Sequence, residues 1–385
     1  MAVEKNNEII EEEARLTEEI QEQPDGLPVD VTVEGEEEVE ERPEDDFNAN
    51  LAEAMDERTL GSMASDLIAE YKKDKNSRKE WEEAYIKGLE LLGTKYHEVT
   101  KPFKGASGVT HPLLAESVTQ FQAQAYKELI PSDGPVRTQV VGLQTPQIEA
   151  QADRVKEYMN FLLMEEMEEY TTDMDQMLFY LPLSGSTFKK IYYDELVGRP
   201  CAKFIPAEDL VVPYYASDLK DCERITHVIK MTENDVNKKM AAGFYRDIEL
   251  SSPREEVDQV QQKVNELQGV KRTESDHLHT ILEMHVDLNL EDYEDFDDKA
   301  KKVKIPYLVT IDEGSGEILS IYRNYKPNDI SYARTEYFVH YKFLPGLGFY
   351  GFGLTHMIGG LSRAATQSLR QLIDAGTLKN LPAGF

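Results

Sequence analysis

The most chemically suggestive spacing in this 385-residue sequence is Gly346-Leu-Gly348-Phe-Tyr-Gly351, which matches GxGxxG. It lies between strand-like text ending near Phe343 and a helix starting near Gly353, where backbone N–H groups could cradle a pyrophosphate. A dinucleotide fold also needs a second parallel strand after that helix, carrying an acid for the ribose. Only 34 residues follow Gly351, and the acid 23 residues on, Asp374, falls in helical text. Phe349 and Tyr350 would crowd a backbone that must approach phosphate closely. The expectation is a tight turn with aromatic anchors and no cofactor. A dinucleotide-dependent enzyme using the Gly346–Gly351 turn is the competing reading.

His277, His279 and His285, with Asp276 and Asp287, resemble a metal cluster, because alternate strand positions share a face. No fourth ligand or CxxC supports it, so structural or surface roles are expected and no metal. Asp292-Tyr-Glu-Asp-Phe-Asp-Asp298 suggests calcium but lacks the central Gly and terminal Glu of such a loop, and it reads as a solvated acidic loop. The sequence shows no Ser/His/Asp order, activated Cys, P-loop or HExxH. No catalytic residue is assigned, and the protein is not expected to be an enzyme.

The elements around these residues mix helical and strand periods, giving an α+β class. Met63, Leu67, Ile68 and Tyr71 follow helical spacing from Leu60, and Trp81, Tyr85 and Leu89 continue it in a second helix. A small basic loop with Lys101 and Lys104 runs from Gly93 to Gly108. His111-Pro112 opens a helix with Val118, Phe121, Ala125 and Leu129 as its stripe. Val136 to Val141 alternates as a half-buried strand would. Thr145-Pro146 caps one long helix predicted to run to Tyr180, its Met residues filling packing gaps and marking no cofactor site. The period then changes to two. Strands are predicted at 188–193 and 201–205, joined at Gly198, and at 225–231, 280–290, 304–311, 317–323 and 337–343. Thr232-Glu-Asn-Asp235 caps a short helix, 250–276 is a polar exposed helix or mobile insertion, and Asp312–Gly316 is a hairpin turn.

Charge and cysteines narrow the function classes. The chain carries 42 Lys and Arg against 73 Asp and Glu, a net of −31. Residues 1–56 hold 21 of those acids and 3 of the bases, and residues 1–50 read as a disordered acidic arm that buries too little apolar surface to offset its ordering entropy. The remainder is still acidic, which argues against a wide nucleic-acid grip but suits a conduit whose walls repel phosphate. An acidic adaptor that mimics DNA would need its acids on a folded face, whereas the densest run is the arm. Cys201 and Cys222 stand apart, as inert thiols in a reducing compartment would. With no signal-peptide pattern and no run of 18 apolar residues, the chain is expected to be soluble and used without translocation.

The most specific text is Tyr341-Lys-Phe-Leu-Pro-Gly-Leu-Gly-Phe-Tyr-Gly-Phe-Gly-Leu-Thr-His356, then Ile358-Gly-Gly-Leu361, then Arg370-Gln-Leu-Ile-Asp-Ala-Gly-Thr-Leu-Lys-Asn380. Together with Gly105-Ala-Ser-Gly-Val-Thr-His-Pro-Leu-Leu114, Phe121-Gln-Ala-Gln-Ala125 and Pro131-Ser-Asp-Gly-Pro135, it resembles the portal proteins of short-tailed, podovirus-type bacteriophages. The match spans about residues 60–385. The resemblance implies a portal fold: an acidic arm at 1–55, a wing of long helices and antiparallel strands at 56–350, a stem helix at 351–380, and the start of a clip region at 381–385 that continues further in family members. It implies a homo-oligomeric ring, usually a dodecamer, at one capsid vertex of the virion, assembled in the host cytoplasm. Double-stranded DNA passes through it without sequence specificity, driven by the terminase large subunit. Capsid, scaffolding and tail or head-completion proteins are the other implied partners, and no membrane. Within the stem helix, Leu354, Ile358, Leu361, Ala365, Leu369 and Leu372 form an apolar stripe, and Gly360, Ala364 and Ser368 a small face that would let neighbouring backbones approach. Arg363 and Arg370, seven apart, share a third face. Gly360, Ala364, Arg363 and Arg370 are therefore the candidate channel or interface residues.

Overall fold

A computed structural model describes residues 47–93, 103, 105–252, 258–270, 278–290, 304–327, 329 and 331–380. The expected arm up to residue 46, Lys101, Lys104, Asp276, His277, the acidic run 292–298 and the expected clip start 381–385 lie outside them. The described chain is α+β, with eight helices and two antiparallel sheets. It runs through helices α1 (Glu57–Ser77), α2 (Lys79–Glu90), α3 (Leu113–Leu129), α4 (Pro146–Phe161) and α5 (Tyr170–Ser184) before the first strands, β1 (Ser186–Asp194) and β2 (Arg199–Pro206). Then come β3 (Leu210–Val211), β4 (Arg224–Met231), α6 (Glu233–Ala241), α7 (Gln259–Gln268), β5 (His279–Leu288), β6 (Ile305–Asp312), β7 (Ile318–Arg323), β8 (Phe338–Lys342) and α8 (Leu354–Asn380).

The larger sheet is the meander β3-β4-β5-β6-β7. Strand alternation sends Leu282, Met284 and Val286 to one face, where α1 lays Leu60, Leu67 and Tyr71 on them. Each such side chain contributes about 1.5–3 kcal/mol on burial. Ile281 points the other way and packs under α6 with Val236, Tyr245 and Leu319. The smaller sheet, β2-β1-β8, is covered by α5, while α3 packs on α5 and on α8. Side chains set the helix starts: Asp56 accepts from Thr59 N at 3.0 Å, and Thr232 Oγ1 from Asp235 N at 3.2 Å. Gly185, at φ 84°, closes α5 in the left-handed region that glycine tolerates.

Four expectations change. The arm boundary at 55 falls inside packed structure, because Asn50, Leu51, Ala52 and Met55 are buried with Phe47 against the larger sheet. The strand expected at 136–141 is extended chain without a ladder partner, and Val141 is 93% exposed. Its one bridge is made by a side-chain amide: Asn160 Oδ1 accepts from Val136 N at 2.9 Å, and its Nδ2 donates to Val136 O at 3.3 Å. The long helix predicted from 146 to 180 is two helices, separated by a π turn at Leu162–Glu166 and a break at Met167. The break frees Glu169 to bond the edge of the smaller sheet, accepting from Ala202 N and Arg199. Within 250–276, α7 is not a fully exposed helix, since Val260 is wholly buried against α2 and α3 residues.

Candidate functional site: the glycine turn and the 354–380 helix

The glycine turn connects β8 to α8 and is filled by its own chain. A methyl group on Gly351 would collide with the carbonyl of Gly185, and one on Gly353 would sit 2.6 Å from the Leu183 carbonyl. Gly346 is closed in the same way by the Tyr350 carbonyl, whereas nothing lies within 4 Å of a methyl built on Gly348. Three backbone donors at the end of the turn have protein acceptors: Gly351 N donates to Ser186 Oγ at 2.7 Å, Phe352 N to Leu344 O at 3.0 Å, and Gly353 N to His356 Nδ1 at 3.1 Å. These glycines thus serve close backbone packing against the end of α5.

The aromatic anchors go inward. Phe349 stacks with Phe188 and His340, at centroid distances of 5.8 and 4.6 Å, and burial between them drives the His340 imidazole down to about 3. Tyr350 stacks on Trp81 at 4.5 Å and receives a hydrogen bond from Arg78 Nη1 at 3.0 Å. Arg78, only 6% exposed at the break between α1 and α2, also donates to the carbonyls of Ala207, Glu208 and Leu210 and to Glu82. One guanidinium therefore ties the α1–α2 corner, the β2–β3 link and the glycine turn together. Sequence patterning gave no sign of it beyond its place at a helix end.

From that turn α8 extends for 27 residues, about 40 Å. Its buried residues are small or polar: Gly359, Ser362 and Thr366. Along the same edge, three side chains at four-residue spacing hold the Gly105–His111 segment. Thr366 Oγ1 accepts from His111 N at 3.0 Å, Arg370 Nε donates to Val109 O at 2.7 Å, and Asp374 Oδ1 accepts from Ser107 N at 2.7 Å. The i, i+4, i+8 spacing of Thr366, Arg370 and Asp374 makes one polar edge, which the sequence reading did not single out.

The candidate residues separate accordingly. Arg370 is bound to its own chain. Arg363 is exposed, with no hydrogen bond or ion pair among the described residues. Gly360 and Ala364 are exposed, and nothing lies within 4 Å of a methyl on Gly360. The expected apolar stripe divides. Leu354, Ile358, Ala365 and Leu369 are half-buried, while Leu361 and Leu372 are 63% and 73% exposed. The open face is a seam of Met357, Leu361, Ala364, Ser368, Leu372 and Ala375, recurring at steps of four and three.

Among the described residues, those weighed for metal chemistry do not converge. His279 pairs with Asp312 at 3.2 Å, Asp287 accepts from Arg334, and His285 lies between Glu283 and Asn324. No group of three or more metal-ligating side chains occurs among the described residues. Cys201 and Cys222 are buried and unpaired, and burial pushes the Cys222 thiol up to about 12. No helix among the described residues is long and apolar enough to cross a membrane.

Two ionic groups brace the body. Lys190 of β1 pairs with both carboxylate oxygens of Glu283 on β5, joining the two sheets. Burial alone would raise the Glu283 carboxyl, but Lys190, with His227 and His285 turned toward it, holds it well below the ordinary range. Glu208 is the converse. Burial, then the charge of Asp209, pushes its carboxyl up to about 8, and one of its oxygens is shut from water without a hydrogen-bond partner among the described residues. Compared with models of known protein families and with curated proteins, the chain matches none.

Proposed function

We propose that this chain is a structural subunit of a bacteriophage portal ring, the channel at one capsid vertex through which double-stranded DNA is packaged and ejected. The observation that carries the reading is α8: an approximately 40 Å helix anchored along one polar edge, with the seam Met357–Ala375 open on the other side. A helix so arranged is short of the packing that stabilises amphipathic helices in water, and a neighbouring copy supplies it. The phrases that resemble short-tailed phage portals coincide with the glycine turn, α8 and the segment clamped to it. On this reading residues 47–353 form the wing and α8 the stem of the portal fold. The subunit conducts DNA and docks the terminase motor, the capsid and the tail, with no hydrolysis of its own and no cofactor. It works in the virion after assembly in the host cytoplasm. Net charge of −31 suits a wall over which a duplex slides.

Negative-stain imaging with native mass spectrometry of the purified chain tests this. Annular oligomers of about twelve copies with a central channel are expected. A monomer across the accessible concentration range that binds NAD or ATP at micromolar ligand would replace the portal by the nucleotide enzyme.

A further inference from the structure

A ring made from one chain needs two different surfaces on each subunit, since a head-to-tail contact joins unlike faces. The α8 seam is one, and α4 carries the other. None of the sixteen residues of α4 is buried. Ile148, Val155 and Met159, at steps of seven and four, lie on one face of it and are exposed, as are Tyr158 and Phe161. Val141 and Leu143, just before the helix, are exposed as well.

Charge selects between possible occupants of this face. α4 itself holds three acids and two bases, and the turn after it adds Glu165, Glu166 and Glu168, whereas α8 holds three bases and one acid. The acids gathered at the C-terminal end of α4 disfavour pairing it with a second α4 and fit poorly on an anionic lipid surface. The unlike pair, α4 with α8, is complementary in sign. The small residues Ala364, Ser368 and Ala375 of the seam would give Val155 and Met159 room to pack. We infer that the apolar face of α4 packs on the α8 seam of a second copy, a heterologous contact that repeats around the ring. The inference rests on the ring reading and adds the surfaces that close it.

Two double variants test it: Val155→Glu with Met159→Glu, and Leu361→Glu with Leu372→Glu. All four side chains are exposed in the single chain, so each variant is expected to melt as the parent does. If a glutamate pair lowers melting, the corresponding serine pair is read in its place. Each variant alone should lose ring yield by about tenfold or more, as charge enters an apolar contact. Mixed one to one, they should form discrete pairs by native mass spectrometry, since each retains the face the other lacks. Rings of normal yield from the α4 variant would overturn the inference and leave the portal reading standing. Loss of rings by both variants with no pairs on mixing would also overturn it, in favour of a like-with-like contact. A parent chain that never leaves the monomer would remove both.

Discussion

Arg370 donates to the Val109 carbonyl at 2.7 Å, and this bond separates two arginines that the sequence places on one helix face. Its other amino group reaches Gly108 O at 3.3 Å and Thr110 Oγ1 at 3.4 Å, so the guanidinium is committed to holding the segment before α3. Arg363, seven residues earlier, is exposed and makes no hydrogen bond or ion pair among the described residues.

Arg370→Ala should therefore cost about 1–3 kcal/mol of stability, the range for hydrogen bonds from a charged donor, while Arg363→Ala stays within about 0.5 kcal/mol. Chemical denaturation of the two variants checks this. On the portal reading, DNA packaged per prohead should change with Arg363→Ala at normal ring yield. A packaging defect confined to Arg370→Ala would reverse the assignment.

The glycine turn gives a sharper contrast. Gly351→Ala forces a methyl into the Gly185 carbonyl and should destabilise by about 4 kcal/mol or more, with loss of soluble protein. Gly348→Ala meets open space and should stay within about 1 kcal/mol. A pyrophosphate-binding turn needs its second glycine for the approach of phosphate, so measured tolerance at Gly348 alongside intolerance at Gly351 distinguishes packing from nucleotide binding.

Asn50 Oδ1 accepts from Ile321 N at 2.9 Å and its Nδ2 donates to Leu319 O at 3.3 Å, completing the free edge of β7 with a side chain. Asn50→Ala should cost about 2–3 kcal/mol, because it leaves buried backbone groups unpaired. A chain started at Leu51 should show the same loss of melting temperature, in contrast to one started at Phe47.

Glu208 and Glu283 should bend the stability–pH curve in opposite senses. With a folded value of about 8 against an ordinary 4.5, Glu208 keeps its proton in the folded chain after the unfolded chain has lost it. Stability therefore falls as pH rises from 4.5 to 8. Glu208→Gln should remove that slope and gain about 2 kcal/mol over the parent at pH 8 relative to pH 5, a partly solvated carboxyl giving less than full linkage. Glu283 is held below 4.5, so its contribution is present above that pH and is lost as pH falls through the folded value. Glu283→Gln should leave Lys190 uncompensated at a cost of about 3–5 kcal/mol at neutral pH. Urea titrations at stepped pH separate the two.

Periodicity located most elements because their stripes are buried as patterned: Leu60, Leu67 and Tyr71 in α1, and Leu282, Met284 and Val286 in β5. It failed where a side chain stood in for backbone. Val136 is answered by the Asn160 amide and β7 by Asn50, so the text around them carries strand signals without a strand, or arm composition within a core. The break before α5 was hidden because the residues on both sides of Met167 favour helix, and the gain lies in what Glu169 reaches on β2. The exposed seam of α8 was legible as residues but not as a surface, since spacing does not say which side of an amphipathic helix its own chain leaves uncovered.

The smaller sheet has a temporal consequence. β1 pairs Ser186 with Lys342 of β8, and the end of α5 packs against Gly351 and Gly353, residues made more than 150 positions later. During synthesis α5 and β1 must wait with an unpaired strand edge and an open helix end until β8 and the glycine turn leave the ribosome. Loop closure over that separation makes docking of β8 a late, slow step. Since α8 is threaded through the same turn, its seam is presented in a defined direction only once the smaller sheet is closed. On the ring reading proposed above, subunits still folding would thereby be kept from joining one another prematurely.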